Sequence, residues 1–293
     1  MNRVKDNLFH RVKFVVEQAS AFGVNVNPTS RIGLIQRLVT ELDGGPAGII
    51  RVDHPQFQEA LEGVRAVQII AFILRQLPQA KLPADFRERV KTMLGDASLP
   101  QNSSDSTKGR DMQAELYVAA VCVNAGIEPE FHEPDLMVKV SGKTFGVAVK
   151  RVKSLDRLEE RIKSAAGQVQ RAGVPGFIVA DLTTAMNPEN KRVTATLSDQ
   201  EFGGIISDRL RDVTVRREQE LVEWVRGSGV QGLFVTDHHV RLRQQDGKYG
   251  LDSMTHGLSL SPYNQRRHRE FEAFAKQFVR GLATPPILVQ PPG

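Results

Sequence analysis

Residues 133–154 read EPDLMVKVSGKTFGVAVKRVKS, two stretches of alternating character separated by Ser141-Gly142-Lys143. A glycine in a short polar segment between two such stretches predicts a β-hairpin. Folding the stretches about this turn brings Asp135 opposite Ala148 to Lys150 on the second strand. Alternation then places the carboxylate of Asp135 and the ammonium of Lys150 on one face, where the other side chains are small. We therefore expect room for a ligand on this face.

The rest of the C-terminal part alternates between helical and strand patterns. We predict a helix at 111–125 before the hairpin and, after it, a helix at 155–172, a strand at 176–182, a long helix at 199–227 with a candidate break at Gly203-Gly204, a strand at 230–236 and a last helix at 265–282. The stretches GFIVADL and QGLFVTD are short and nearly continuously apolar, which is typical of buried parallel strands. This order predicts an α/β fold.

The N-terminal part carries helical spacing alone, in four segments between Asn2 and about Asp96 that are separated by breaks containing proline or glycine. Residues 97–110, ASLPQNSSDSTKGR, are polar and without periodicity, as in an exposed linker. We predict an all-helical accessory domain at 1–96, a linker at 97–110 and an α/β domain at 111–293. The helical domain carries no motif that assigns a role, so DNA binding, dimerisation and contact with a partner protein stay open.

The composition restricts the classes of protein to be considered. The chain has 293 residues, of which 40% are hydrophobic and 25% charged, as in ordinary globular proteins. Its single cysteine, Cys122, excludes an intrachain disulfide and a cysteine-rich zinc site. No apolar run approaches the about 20 residues that span a membrane and no signal-peptide pattern opens the chain, so we expect a cytoplasmic protein without membrane contact. The net charge of +5 favours a polyanionic partner.

A carboxylate paired with a lysine suggests phosphodiester chemistry. Carboxylates are the usual protein ligands of Mg²⁺, which completes its shell with waters and phosphate oxygens. A neighbouring lysine can orient or help to deprotonate the attacking water, and its charge offsets the negative charge that builds up at phosphorus. Asp135 and Lys150 are therefore candidates for the catalytic residues of a nuclease.

These residues resemble the pattern of the PD-(D/E)XK nuclease superfamily. That pattern has a helix with a glutamate, Pro-Asp at the start of a strand, (Asp/Glu)-X-Lys on the next strand, and then a helix that packs on the sheet. The matching features here are Glu115 in DMQAELYVAAV, Pro134-Asp135, Lys150 in GVAVKRVKS, the helix at 155–172 and the strand GFIVADL. The resemblance covers residues 109–182, about a quarter of the chain.

The resemblance implies a restriction-endonuclease-like fold, in which helices flank a mixed sheet, and the activity of a metal-dependent nuclease. It implies Mg²⁺ or Mn²⁺ as the cofactor, Asp135 and Glu115 as metal ligands and catalytic residues, and Lys150 as a catalytic residue. Some members of the superfamily place a glutamine near the site from the helix after the hairpin, which makes Gln168 a further catalytic candidate. DNA is the implied substrate, and small nucleases of this kind often belong to bacterial restriction or anti-phage systems.

The sequence departs from the family pattern at Ala148, because the superfamily has a metal-binding acid two residues before the lysine. Three explanations are open. In the first, a carboxylate from elsewhere supplies the missing ligand, and the candidates are Glu115, Glu133, Glu159 and Glu160. In the second, Asp135 and Glu115 alone bind the metal weakly. In the third, the site is inactive and the fold serves as a module that binds nucleic acid or a protein partner.

Two basic groups are candidates for contact with nucleic acid. Arg151 and Lys153 continue beyond the catalytic lysine, whereas Arg266, Arg267 and Arg269 lie in the densest basic run, at the start of the last helix. Arginine and lysine at such positions bind backbone phosphates without reading the base sequence. Solvated surface charge is the alternative for both groups, and the second group serves the same site only if it faces the same cleft.

Polar residues at two strand ends are further candidates, because sites in α/β proteins collect there. His238 and His239 follow the predicted strand 230–236 beside Asp237, and we expect them in a strand-end loop where they point apart and so do not share a metal. Asp181 ends the strand GFIVAD and either caps the edge of the sheet or faces the cleft.

Overall fold

The computed structural model describes residues 8–42, 57–79, 82–96, 107–188, 193–195, 199–243, 249–261 and 263–283. The α-helices are α1 (Leu8–Ala21), α2 (Arg31–Leu42), α3 (Phe57–Gln76), α4 (Phe86–Leu94), α5 (Lys108–Asn124), α6 (Leu158–Ala172), α7 (Thr183–Met186), α8 (Asp199–Val215), α9 (Glu218–Trp224) and α10 (Gln265–Ala283). The strands are β1 (Pro129–Glu130), β2 (Leu136–Val140), β3 (Lys143–Arg151), β4 (Gly176–Asp181), β5 (Val193–Ala195), β6 (Val230–Arg243) and β7 (Tyr249–Ser259). Short 3₁₀ helices at Leu77–Gln79 and Leu155–Arg157 follow α3 and precede α6.

The strands form one mixed sheet in the order β1-β2-β3-β4-β6-β5, with β7 paired to β6. Strands β1, β2 and β3 are antiparallel neighbours, whereas β3, β4 and β6 run parallel. β7 is antiparallel to β6, and β5 is parallel to the far end of β6. The predicted α/β class, with a mixed sheet flanked by helices, is therefore confirmed.

β2 and β3 form the predicted hairpin, in which Leu136 pairs with Val147. The turn consists of Ser141-Gly142, whose φ angles are 51° and 77°, so it is one residue shorter than the sequence suggests. Two successive positive φ angles match the twist of the flanking strands, and Gly142 adopts its positive φ without steric cost. This register sets Asp135 opposite Ala148, as predicted.

Apolar side chains cover both faces of the sheet. On one face, α5 and α10 pack against phenylalanines of the central strands, which include Phe177 on β4 and Phe234 on β6. On the other face, α6 contributes the stripe of Leu158, Ile162 and Val169 that its spacing predicts. Burial of both faces explains why β4 and the first half of β6 read as continuous apolar runs.

Helices α1 to α4 occupy the region that the sequence predicts to be helical, and α3 and α4 pack against α5. Their apolar core is continuous with the core between α5, α10 and the sheet. Most of the predicted linker, residues 97–106, lies outside the described residues, whereas Lys108 already begins α5. Across the described parts of the chain, none of the helices combines the length and the apolar character required to cross a lipid bilayer.

A buried ion network joins the N-terminal helices to α5. Glu62 on α3 is 8% exposed, and its carboxylate contacts the guanidinium groups of Arg65 at 2.7 Å, Arg110 at 3.0 Å and Arg31 at 3.8 Å. Asp96 accepts a hydrogen bond from the backbone N–H of Arg110, near the start of α5. Burial opposes ionisation of Glu62, but the charges of the three arginines outweigh it and lower the pKa of Glu62 to about 2.

β6 is longer than the predicted strand at 230–236, because it continues to Arg243. Asp237, His238 and His239 therefore lie inside a strand, and the expectation of a strand-end loop is wrong. All three residues are buried, with His239 hydrogen-bonded to Asp237 at 2.6 Å and His238 to a serine of β7 at 2.7 Å. Hydrogen bonds inside the protein allow these polar side chains to be buried, so the strand continues beyond the end of the apolar run in the sequence.

Two further elements differ from the prediction. β7 is missing from it, since the sequence YGLDSMTHGLS mixes polar and small residues without regular alternation. The predicted helix at 199–227 is two helices, α8 and α9, which separate at Arg216-Arg217 rather than at Gly203-Gly204. Thr214 donates its hydroxyl to the carbonyl of Arg211, and the valines on either side of Thr214 also disfavour continuation of the helix.

Candidate functional site

Asp135 and Lys150 lie side by side at the end of the hairpin that is remote from its turn. The ammonium of Lys150 is 3.7 Å from Asp135 Oδ2, and both side chains are 17% exposed. The backbone N–H of Val149 donates to the same oxygen at 2.7 Å, which fixes the orientation of the carboxylate. Gly146 permits this arrangement, because a Cβ there would lie 2.8 Å from Cδ of Pro134, the residue that leads into Asp135.

Gln168 on α6 reaches the same place. Its Nε2 donates to the carbonyl of Pro134 at 2.9 Å and lies 3.4 Å from Asp135 Oδ1. Its Oε1 is buried and has no hydrogen-bond partner within the described ranges. The structure therefore brings Gln168 to Asp135, and the side chain helps to hold the start of β2 in position.

Glu115 on α5, a different element, interacts electrostatically with Asp135 and Lys150. Its carboxylate accepts a hydrogen bond from Arg89 on α4, and both side chains are 19% exposed. We call Asp135, Lys150, Gln168 and Glu115 the hairpin site.

The two carboxylates of the hairpin site influence each other electrostatically. Burial raises the pKa of Asp135, an effect that Lys150 and the Val149 N–H oppose. Burial also raises the pKa of Glu115, where Arg89 opposes the shift and the charge of Asp135 adds to it. A bound cation would favour the ionised form of two such partly buried, mutually repelling carboxylates.

Ala148 lies opposite Asp135 but offers no space and no ligand. It is fully buried in the apolar cluster that includes Ile162 and Ala165 of α6. The side chain of Pro134 fills the space above Gly146. The expectation of an open pocket over the small residues of the hairpin is therefore wrong, and the accessible part of the site is its outer edge, at Asp135 and Lys150.

Of the other carboxylates that could replace an acid at Ala148, only Glu133 is brought near by the described structure. Its charge adds to the raised pKa of Asp135, while its carboxylate pairs with Arg171 of α6 at 3.1 Å. Glu159 and Glu160 instead form ion pairs along the exposed side of α6, with Lys163 and Arg157 respectively.

The donor set fits a weakly held Mg²⁺ or Mn²⁺. In the ranges that the structure covers, no group of three histidine, cysteine, aspartate or glutamate residues is placed to hold a metal ion. Mg²⁺, however, is commonly bound through one or two carboxylates, with waters and substrate phosphates completing its shell. Asp135 retains lone pairs beyond those used by its hydrogen bonds, so it could be such a ligand, with Glu115 as the second.

The two basic residues that follow Lys150 in the sequence differ in exposure. The side chain of Arg151 is 9% exposed, and its guanidinium contacts Asp111 at 3.2 Å and Asp181 at 3.6 Å. Lys153 is exposed beyond the end of the strand. Lys153 is thus accessible to a phosphate, whereas Arg151 is held by internal ion pairs.

Arg266, Arg267 and Arg269 are exposed in the first turns of α10. Arg266 and Arg269 line a groove of about 320 Å³ at the tip of the hairpin, together with Lys143. Lys143 begins β3 and Lys150 lies near its end, a separation of roughly 23 Å at about 3.3 Å per residue. The structure therefore does not bring these arginines to the hairpin site, and the two places do not form one cleft.

Asp181 and His238 lie on the α5 side of the sheet. Asp181 accepts a hydrogen bond from the backbone N–H of Thr183 at 2.9 Å, as a residue that caps the edge of the sheet would. With His238 it lines a cavity of about 20 Å³ beneath α5, which has room for about one water. The ring of His238 packs against Tyr117 of α5, whereas His239 pairs with Asp237.

Arg89 is the neighbour of the site that sequence reasoning missed. Within DFRERVKTML it reads as one of several charges on the solvent side of an amphipathic helix. Its contact with Glu115 depends on how α4 packs against α5, which no local pattern encodes.

No protein-family model matches this sequence, and no curated protein shows significant similarity to it.

Proposed function

We propose that this protein is a metal-dependent nuclease that hydrolyses phosphodiester bonds in DNA, with a restriction-endonuclease-like fold. The observation that carries the proposal is the meeting of Asp135, Lys150 and Gln168 at one edge of the hairpin, where Glu115 interacts electrostatically with Asp135 and Lys150. These residues come from four places in the chain, in the order of elements that the PD-(D/E)XK pattern requires. Motifs as short as these recur by chance, but their assembly at one place is much less expected from chance.

Each residue of the hairpin site has a role in this proposal. Asp135 and Glu115 are the ligands for Mg²⁺ or Mn²⁺, which when bound supplies Lewis-acid polarisation of the scissile phosphate and its water. Lys150 orients the attacking water and offsets the negative charge that develops on the phosphate oxygens as the new P–O bond forms. Gln168 holds Asp135 through its amide, so its contribution is to orient the carboxylate.

DNA as the substrate rests on the resemblance to the nuclease superfamily, as does a place in a bacterial restriction or anti-phage system. We include both in the proposal: the enzyme would act in the cytoplasm on cellular or invading DNA. The net charge of +5 supports a polyanionic substrate of either kind.

A second candidate function is a module that keeps the nuclease fold and binds nucleic acid or a protein without cutting. Two observations favour it: Ala148 is buried where the family has an acid, and Glu115 is already hydrogen-bonded to Arg89. Binding without chemistry requires neither a complete metal site nor a free lysine. The two candidates therefore make opposite predictions for a cleavage assay.

The test is incubation of the full chain with supercoiled plasmid and with linear DNA in Mg²⁺ or Mn²⁺. The nuclease proposal predicts cleavage that a chelator stops and that Asp135→Asn and Lys150→Ala each slow by about a hundredfold or more. Salt-sensitive DNA binding with intact DNA in every metal supports the binding module instead. Asp208→Asn is the matched control for Asp135→Asn, because Asp208 is exposed on α8, outside the hairpin site.

We further propose that the groove at the hairpin tip contacts the phosphate backbone of the DNA. Arg266→Ala combined with Arg269→Ala is expected to weaken DNA binding for all sequences alike. The slope of the logarithm of affinity against the logarithm of salt concentration should become shallower by about two, one for each lost phosphate contact. Cleavage at saturating DNA should change little, because the groove is remote from Lys150. Fluorescence anisotropy over a range of salt concentrations measures both effects.

The control for this double substitution is Arg216→Ala combined with Arg226→Ala. These arginines are about as exposed as Arg266, at 76% and 75% against 76%, and they lie in the turns that follow α8 and α9. An equal loss of affinity in both double variants would mean that only net charge matters and that the groove is not a binding surface.

A further inference from the structure

Arg89 is fixed beside the hairpin site by three groups from different parts of the chain. Its guanidinium donates to Glu115 on α5, its Nε contacts Asp85 at the start of α4 at 3.0 Å, and its carbon centre lies 4.9 Å above the ring of Phe131. A guanidinium is charged at all relevant pH values and binds carboxylates in a fixed geometry. The N-terminal helices therefore supply a permanent positive charge to a site whose other members come from the α/β part.

The charges of the site are paired one to one, but the two pairs differ. Lys150 is 3.7 Å from Asp135 and beyond hydrogen-bond distance, so the lone pairs of Asp135 on that side remain available. Arg89 is directly hydrogen-bonded to Glu115. A divalent ion could therefore approach Asp135 without breaking a strong contact. At Glu115 one carboxylate oxygen is already held by the guanidinium, and the positive charge of Arg89 would repel the ion.

Resting on the proposed function, we propose that Arg89 controls metal binding at the hairpin site by occupying Glu115. With Arg89 in place, Glu115 contributes less to metal binding than Asp135 does. When Arg89 leaves Glu115, its Nε contact with Asp85, the residue before α4, gives the side chain a second anchor. Movement of α4, or a phosphate that attracts the guanidinium, would then release Glu115 to the metal. This assigns the N-terminal helices a role in regulating the site.

The experiment measures Mn²⁺ affinity of the full chain without DNA, from the electron paramagnetic resonance signal of free Mn²⁺. Arg89→Gln is expected to tighten Mn²⁺ binding about tenfold or more, because it removes a unit positive charge from contact with Glu115. Lys91→Gln is the matched control: it removes one charge from the exposed side of the same helix and is expected to change affinity less than about twofold.

A second set of variants closes a double-mutant cycle and does not depend on Arg89→Gln alone. Glu115→Gln is expected to weaken Mn²⁺ binding by a smaller factor in the native protein than in the Arg89→Gln protein, because Arg89 already holds one oxygen of Glu115 in the native protein. The same change in the Arg89→Gln protein is expected to remove the whole gain. Unchanged or weaker affinity in Arg89→Gln, including no binding by either protein, overturns the proposal, as does a loss from Glu115→Gln that is as large in the native protein as in the Arg89→Gln protein.

Plasmid cleavage by the same proteins separates this inference from the proposed function. Tighter Mn²⁺ binding by Arg89→Gln with an intact plasmid would support the role of Arg89 and contradict the nuclease. Cleaved plasmid with unchanged Mn²⁺ affinity would support the nuclease and contradict the role of Arg89.

Discussion

Lys150→Ala is expected to lower the rate of DNA cleavage by about a hundredfold to ten-thousandfold, the range that loss of a catalytic proton-transfer or charge-stabilising group produces. The structure gives the reason: the Lys150 ammonium lies 3.7 Å from Asp135, at the accessible edge of the hairpin. No other cation is shown at this distance from Asp135 in the described ranges. Time courses of plasmid cleavage at saturating DNA measure the effect.

Lys139→Ala is the control, because Lys139 is an exposed lysine on the same hairpin, in β2. Removal of its charge is expected to leave the cleavage rate within about twofold of the native rate, because a solvated surface charge contributes little to a reaction at the hairpin site. Circular dichroism establishes that both variants are folded. Cleavage by Lys150→Ala at the native rate would mean that the hairpin site is not the catalytic centre.

Glu62→Gln is expected to destabilise the fold by about 3–5 kcal/mol, the cost of removing one partner from a buried ion pair. The carboxylate of Glu62 balances three arginines, of which Arg31 is 1% exposed and Arg110 is 5% exposed. Without it, their charges would remain buried with less compensation. Unfolding in urea, followed by circular dichroism, gives the change in free energy.

Glu17→Gln on α1 provides the comparison for Glu62→Gln. Glu17 pairs with Lys13 at 3.8 Å, and its side chain is 60% exposed, so the same substitution there is expected to cost less than about 1 kcal/mol. Similar losses of stability in the two variants would show that the buried network does not stabilise the fold.

The same network predicts how stability depends on pH. The pKa of Glu62 is lowered from its ordinary value of 4.5 to about 2 in the folded protein. An acid whose pKa is lower in the folded state than in the unfolded state stabilises the fold at pH values above its unfolded pKa. For Glu62 that stabilisation is lost as the pH falls from about 4.5 towards 2. The shift in pKa corresponds to a loss of about 3 kcal/mol in the free energy of unfolding over this pH range. This loss is expected to be absent from Glu62→Gln, which has no carboxylate to titrate.

The hairpin and its placement of Asp135 beside Lys150 follow from the sequence, because both depend on local signals. The turn at Ser141-Gly142 and the alternation of β3 set the register, and the register sets the faces. The position of Gln168 beside the apolar stripe of α6 likewise follows from helical spacing.

Other parts of the structure depend on tertiary packing and have no local signature. The ion pair of Arg89 with Glu115 joins two helices whose packing angle the sequence does not encode, and the same is true of the contacts of Glu62. β6 is longer than its apolar pattern predicts, because it continues through buried polar residues such as Asp237 and His239, which hydrogen-bond to each other. An open pocket at Ala148 was expected because small residues suggest space, but α6 fills that space with its own side chains.

The central claim is that the hairpin site binds a divalent cation through Asp135. A crystal of the native protein soaked in Mn²⁺ tests it most directly, because manganese is located by its anomalous scattering. The claim predicts an anomalous peak in contact with the carboxylate of Asp135, at about the 2.0–2.2 Å of a metal–carboxylate oxygen bond, that disappears in Asp135→Asn. Manganese bound at other carboxylates, with none at Asp135 in a protein that cuts DNA, would contradict it.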